Sequence, residues 1–193
     1  MKRICVYCGS NPGKRTEFRE AARGLARELL KRDICLVYGG ASVGIMGEIA
    51  DTVLAGAGEV TGVIPQALVD KEVSHNGLTE LKIVHSMHER KGIMADMSDG
   101  FIALPGGLGT IEELFEVLTW AQLGFHDKPC ALLNVNGYYD KLIQFLDHAV
   151  EEGFVANIHR QMLLVEEDPD TLLEAMSRYS APAVDKWIGR DEN

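Results

Sequence analysis

Cysteine is scarce in this chain, with four in 193 residues, too few for the disulfide framework that holds small secreted domains together. Cys5 and Cys8 are spaced like a redox pair, yet they fall in an apolar stretch that reads as a strand, where residues three apart face opposite sides. A thioredoxin-type pair sits at a helix start, so buried, reduced thiols are expected here, with no metal. Long apolar runs are missing too. No stretch is long enough to span a bilayer, and the basic start Met1-Lys2-Arg3 leads into an apolar run too short for a secretory leader, ending at Gly9-Ser10-Asn11-Pro12. A cytoplasmic protein with no membrane partner is expected. Positive charge is in deficit, since 19 Lys and Arg against 29 Asp and Glu leave a net charge of -10. That balance opposes a nucleic-acid polymer, whose phosphates need a basic stripe, although a local loop can still hold one small anion. No Pro/Ser-rich or highly charged stretch marks an internal boundary. The chain therefore reads as a single domain over residues 1–180, followed by a weakly patterned tail, 181–193.

Glycine, in contrast, is plentiful at 20 residues, and it concentrates in two places. The apolar run Gly100-Phe101-Ile102-Ala103-Leu104 reads as a strand buried on both faces. It is followed by Pro105-Gly106-Gly107-Leu108-Gly109-Thr110 and then by helical spacing from Glu113 to Leu118. Strand, glycine turn and helix in that order let the backbone approach a ligand closely while the first helical N–H groups face the same space, an arrangement that attracts phosphate. Glu112 and Glu113 follow one turn into the helix. The same letters also fit a capping box, in which Glu113 would bond back to the Thr110 N–H and have no catalytic duty. The second glycine loop is Gly39-Gly40-Ala41-Ser42-Val43-Gly44-Ile45-Met46-Gly47. It has the glycine spacing of a Walker loop, but Ile45-Met46 stands where Lys-Ser/Thr is required. The dinucleotide fingerprint is absent as well, and no acidic residue closes the next strand to take a ribose hydroxyl. A monophosphate or a nucleotide held by the two glycine loops is the better fit, the bland alternative being two tight strand-to-helix turns.

Apolar runs at 3–8, 34–38, 60–64, 81–85, 100–104, 128–134 and 163–165 alternate with helical patterns. They imply an α/β fold, a Rossmann-like doubly wound parallel sheet with helices on both faces. Ligands bind such sheets beyond the carboxyl ends of the strands. Ser10, the loop carrying Gly39, Gly40, Ser42 and Gly47, the segment from Ser86 through Met87 to Arg90, and the Pro105, Gly106, Gly107, Gly109, Thr110 loop would all meet there. Ser86-Met87-His88-Glu89 reads as a helix cap, and the Arg90-Lys91 pair inside the first turns opposes the helix dipole unless an anion is near. A solvated basic pair is the bland alternative. His85 and His88 do not share a helical face, so no metal is expected. The segment 66–80 has no steady period and reads as a lid or substrate loop. Asp168-Pro169 caps a last helix.

On Gly39-Gly40 to Gly47, Arg90-Lys91 and Pro105-Gly106-Gly107-x-Gly109-Thr110-x-x-Glu113, the chain resembles the LOG (LONELY GUY) family over about residues 5–165. These are cytokinin riboside 5′-monophosphate phosphoribohydrolases, long mislabelled as lysine decarboxylases. The resemblance implies a homodimer that hydrolyses the N-glycosidic bond of a nucleoside 5′-monophosphate to free base and ribose 5-phosphate, with Arg90 and Glu113 as the essential pair. It also assigns Glu72 a substrate contact, and it extends the expected substrate-binding set to Lys91 and Glu112. Many plant members carry tyrosine where this chain has Leu108, a departure that bears on base preference rather than on the reaction. The chemistry is consistent with the residues: a carboxylate stabilises an oxocarbenium-like state, and arginine, which keeps its proton, holds or polarises the substrate. The decarboxylase label would require pyridoxal phosphate on a Schiff-base lysine, and no lysine, Lys91 included, stands in a context that singles it out. No cofactor is expected. The remaining alternative is a non-catalytic nucleotide-binding regulatory module.

Overall fold

The computed structural model describes residues 1–71 and 74–182. The apolar runs form β1 (Arg3–Tyr7), β2 (Cys35–Tyr38), β3 (Val60–Pro65), β4 (Glu80–Val84), β5 (Gly100–Ala103), β6 (Cys130–Leu133) and β7 (Leu163–Glu166). They make one seven-stranded sheet in the order β4-β3-β2-β1-β5-β6-β7, and every pairing is parallel. Parallel pairing needs a crossover between neighbouring strands, and helices α1 (Thr16–Lys31), α2 (Gly44–Ala55), α4 (Met87–Met97), α5 (Leu108–Gln122), α6 (Asp140–Glu151) and α8 (Pro169–Arg178) supply most of these. Two short helices that the sequence pattern did not reveal, α3 (Gln66–Val69) and α7 (Asn157–Arg160), sit within connections.

The doubly wound reading follows from strand alternation. In β1, Ile4 and Val6 join one core with Leu25 and Leu29 of α1, Ile49 and Val53 of α2, and Leu172 of α8. Cys5 and Tyr7 join the other, with Met94 of α4, Leu114 and Val117 of α5, and Leu146 of α6. Each fully buried Leu or Ile contributes about 2 kcal/mol, so both faces are covered. Cys8 belongs to the first core and Cys5 to the second, and both are free, buried thiols.

The chain runs outward from β1 to β4, and α4 then carries it back to β5 beside β1. The loops after β1 and β5 therefore leave in opposite directions, which opens a crevice at the carboxyl edge. The irregular segment after Pro65 folds back on that edge: an antiparallel bridge joins Ala41 and Ser74, and the His75 N–H donates to the Gly40 carbonyl at 2.9 Å. Glu72, expected to touch substrate, and most of the expected tail, residues 183–193, lie outside the described residues. Among the described residues no helix is long and apolar enough to cross a membrane.

Candidate active site

Three loops, after β1, β2 and β5, pack against each other at the carboxyl edge, and glycine permits it. The Ile45 N–H donates to the Gly9 carbonyl at 3.0 Å, and the Gly9 N–H to the Pro105 carbonyl at 3.4 Å. A Cβ on Gly44 (φ +61) would strike the Ser10 backbone, and one on Gly106 would collide with the Thr110 hydroxyl and stand 2.9 Å from the Gly9 nitrogen. On Gly39 it would run into the Arg90 guanidinium and Met46, and on Gly47 into the Ser42 carbonyl. These glycines keep the loops together. Gly107 and Gly109 differ, since a Cβ on either meets nothing within 4 Å. They face a cleft of about 470 Å³.

Helix α5 begins at Leu108 with Gly107 as its N-cap, and no side chain caps it. Its first-turn N–H groups, which no helix can satisfy internally, therefore have no capping side chain. This start also corrects the capping-box alternative. Thr110 is the third helical residue and Glu113 the sixth, one and a half turns in, so Glu113 cannot reach back as the box requires. The Glu113 carboxylate instead accepts from Nη1 of Arg90, whose Nε donates to the Val63 carbonyl at 3.0 Å. Arg90 is 6% and Glu113 9% exposed. Burial raises the Glu113 carboxyl above its ordinary value, and the neighbouring Arg90 charge works against that rise.

The next residues repeat the pairing. Lys91 Nζ, also buried, donates to Glu112 at 2.5 Å and to Glu116 at 3.0 Å. Burial is the largest single influence on Lys91 and pulls its pKa down, but the two carboxylates together carry it above the ordinary lysine value. The Arg90-Lys91 pair is thus not a solvated one: the anions its helix position called for are the α5 glutamates. Helix α4 itself starts as expected, with the Ser86 hydroxyl accepting from the Glu89 N–H at 3.1 Å. The Glu89 carboxylate returns to the His85 N–H at 2.7 Å, one residue before the position a capping box would use.

Of the residues expected at substrate, the structure brings Ser10, Gly39, Met87, Arg90, Gly107, Gly109, Thr110 and Glu113 onto one cleft. Pro105 and Gly106 line a smaller adjoining hollow of about 280 Å³, which shares Ser10 and Gly107 with it. Gly40 (φ +77) and Gly47 shape the turn into α2 with Ser42. Lys91 and Glu112 bond to each other beside the cleft lining. Val43, Leu68 and Leu108, which periodicity did not single out, join Met87 as exposed apolar groups lining the cleft. A leucine inside a glycine turn was the one visible signal, and at 88% exposure Leu108 has no packing duty in this chain.

A family model described as "Possible lysine decarboxylase" matches residues 46–176. The chain is 50% identical over 178 residues to cytokinin riboside 5′-monophosphate phosphoribohydrolase LOG4 of Arabidopsis thaliana, covering 92% of this chain and 83% of that protein. It is 54% identical over 178 residues to a rice protein (Oryza sativa subsp. japonica) named "Probable cytokinin riboside 5′-monophosphate phosphoribohydrolase LOGL1", covering 92% and 80%. Among solved structures, the molybdenum cofactor carrier protein of Chlamydomonas reinhardtii superposes with a TM-score of 0.68 at 21% identity, over 92% of this chain and 96% of that one, a likeness of fold. With half of its residues shared along nearly its whole length, this chain belongs to the LOG family of cytokinin riboside 5′-monophosphate phosphoribohydrolases.

Proposed function

We propose that the chain hydrolyses the N-glycosidic bond of adenosine 5′-monophosphate or its N6-prenylated analogue, giving free base and ribose 5-phosphate. The observation that carries this reading is the buried Arg90–Glu113 pair opening onto the cleft beside the uncapped start of α5. The phosphate meets the first-turn N–H groups of α5. The ribose lies over Glu113, whose carboxylate stabilises the positive charge that grows at the anomeric carbon as the bond to the base breaks. Arg90 fixes that carboxylate and polarises the substrate, and does not act as the acid. Val43, Leu68, Met87 and Leu108, all exposed on the cleft, suit a base bearing an alkyl substituent.

Pyridoxal phosphate does not fit here. A Schiff-base lysine works through a depressed pKa, whereas Lys91 is raised and held by two carboxylates. Among the described residues no lysine lines the cleft. The test is incubation with either monophosphate and no added cofactor, followed by chromatography of the products. Equal amounts of free base and ribose 5-phosphate are expected, one water being consumed per turnover. Binding without release would leave a nucleotide-binding module, and a pyridoxal absorption band in the purified protein would restore the decarboxylase reading.

The active form is proposed to be a cytoplasmic homodimer. Four cysteines with free thiols suit a reducing compartment. Leu123 and Phe125, 54% and 75% exposed at the end of α5, are apolar groups of the kind that interfaces cover, while Trp120 is partly taken up by the core. Sedimentation at low micromolar concentration is expected to give twice the 21.2 kDa chain mass, and a monomer alone would refute the dimer.

A further inference from the structure

The turn between β6 and α6 is closely tied down by side-chain hydrogen bonds. Asn136 (φ +50) and Gly137 (φ +69) are consecutive left-handed residues in the 3₁₀ turn Val135–Gly137, a conformation that asparagine and glycine adopt more readily than other residues. Asn134, which is buried, bonds across the turn. Its Oδ1 accepts from the Tyr139 N–H at 2.7 Å and its Nδ2 donates to Asp140 at 2.8 Å. The result of the turn is that two successive tyrosines reach the loop after β5. The Tyr139 hydroxyl donates to the Leu104 carbonyl at 2.7 Å, and the Tyr138 hydroxyl donates to the Gly106 carbonyl at 2.5 Å. The Tyr138 ring is held edge-on between Phe18, at 5.4 Å, and Tyr139, at 4.8 Å.

We propose that Tyr138 is a positioning residue that fixes the Gly106–Gly107 peptide so that the Gly107 N–H faces the phosphate. This rests on the reading that the α5 loop holds the phosphate of a nucleoside monophosphate. A planar trans peptide points its C=O and N–H in opposite directions. With the Gly106 carbonyl turned to Tyr138, the Gly107 N–H is directed away from Tyr138. A peptide between two glycines meets the least steric resistance to flipping, and the flipped form would set a carbonyl oxygen against an anion. The hydroxyl selects the orientation that donates. Tyr139 does not share this role, because the peptide it holds runs into Pro105, which has no N–H to aim.

Calorimetric titration of wild type and Tyr138→Phe with ribose 5-phosphate, with AMP and with adenosine provides the test. Loss of the hydroxyl is expected to weaken ribose 5-phosphate and AMP roughly tenfold and adenosine by less than about twofold, the scale of one hydrogen bond. KM for AMP should rise by the same factor with kcat nearly unchanged. In ¹⁵N spectra, ribose 5-phosphate should shift the Gly107 amide in wild type and much less in the variant. Tyr139→Phe, which strands a buried carbonyl, should lower the melting temperature without distinguishing AMP from adenosine. Equal losses for AMP and adenosine in Tyr138→Phe, or none, overturn the proposal while leaving the proposed reaction standing. Failure of wild type to bind either AMP or ribose 5-phosphate overturns the phosphate reading on which the proposal rests, and release of base from AMP tests the reaction separately.

Discussion

Glu113→Gln should lower turnover by about 10²-fold or more while the nucleotide still binds, as loss of one preorganised electrostatic group commonly does. The substitution keeps shape and keeps an oxygen that can accept from Arg90 Nη1, so the guanidinium, also tied to Val63, need not move. What disappears is the negative charge that the proposed mechanism places under the sugar. Glu113→Ala would be a poorer experiment, because it strands a buried arginine, and breaking such a pair from one side costs about 3–5 kcal/mol of stability. Glu112→Gln is the control. It points about 100° away around the helix, its side chain is 55% exposed, and Lys91 keeps Glu116 when it is changed. A mild effect is expected there. Wild-type rates in Glu113→Gln, measured as base released from AMP, would remove the charge-stabilisation mechanism.

The same carboxylate sets a pH dependence. Burial raises the Glu113 pKa above the ordinary 4.5, so the protonated, inactive form persists to higher pH, and the acid limb of kcat/KM should have its midpoint above that value. The stability linkage has the opposite sense. A carboxyl whose folded pKa is raised contributes stability that is complete below the unfolded value and is lost as pH rises through the folded one. The ionised form that the proposed mechanism uses is therefore the less stable form, an exchange common at active sites. Glu113→Gln should flatten the melting-temperature profile across that range, and an unaltered profile would show that Glu113 does not titrate there.

Strands and the doubly wound sheet were legible because burial on both faces leaves continuous apolar runs, as in Phe101-Ile102-Ala103, and because most runs were followed by a helical period, the one at 60–64 excepted. Loop chemistry was legible wherever glycine clusters. Pairing was not. Nothing in Arg90-Lys91 and Glu112-Glu113 reveals that α4 and α5 lie side by side with each cation on its own carboxylate, since that depends on how two helices cover one sheet face. The capping box failed for a related reason. Its letters are correct, but Gly107 starts the helix three residues early, and the three-residue shift places Glu113 against Arg90. The short helices α3 and α7 span a single turn each, too brief for a periodic signal. The tyrosine pair escaped notice because its role lies in hydroxyls reaching carbonyls more than 30 residues away.

Gly107→Val is expected to abolish nucleotide binding in a protein that still folds cooperatively. The two halves of that statement rest on different observations. Folding is spared because Gly107 has φ -94 and ψ -156, a conformation open to any residue, and because a Cβ there meets nothing within 4 Å. Gly106→Val makes the contrast, since its side chain would strike Thr110 and the Gly9 backbone and should lower the melting temperature outright. Binding is lost because the added methyl groups occupy the mouth of the cleft beside the first-turn N–H groups of α5, where phosphate oxygens must approach within hydrogen-bonding distance. Exclusion from two charge-assisted hydrogen bonds at about 1.5 kcal/mol each corresponds to at least about 10²-fold in affinity. Gly109→Val should behave alike, as its Cβ also meets nothing within 4 Å. Titration with AMP and with ribose 5-phosphate, alongside thermal melts, separates the alternatives. A stable Gly107→Val protein that binds ribose 5-phosphate as wild type does would show that these glycines only turn the chain, and the phosphate would then have to be held elsewhere on the sheet edge.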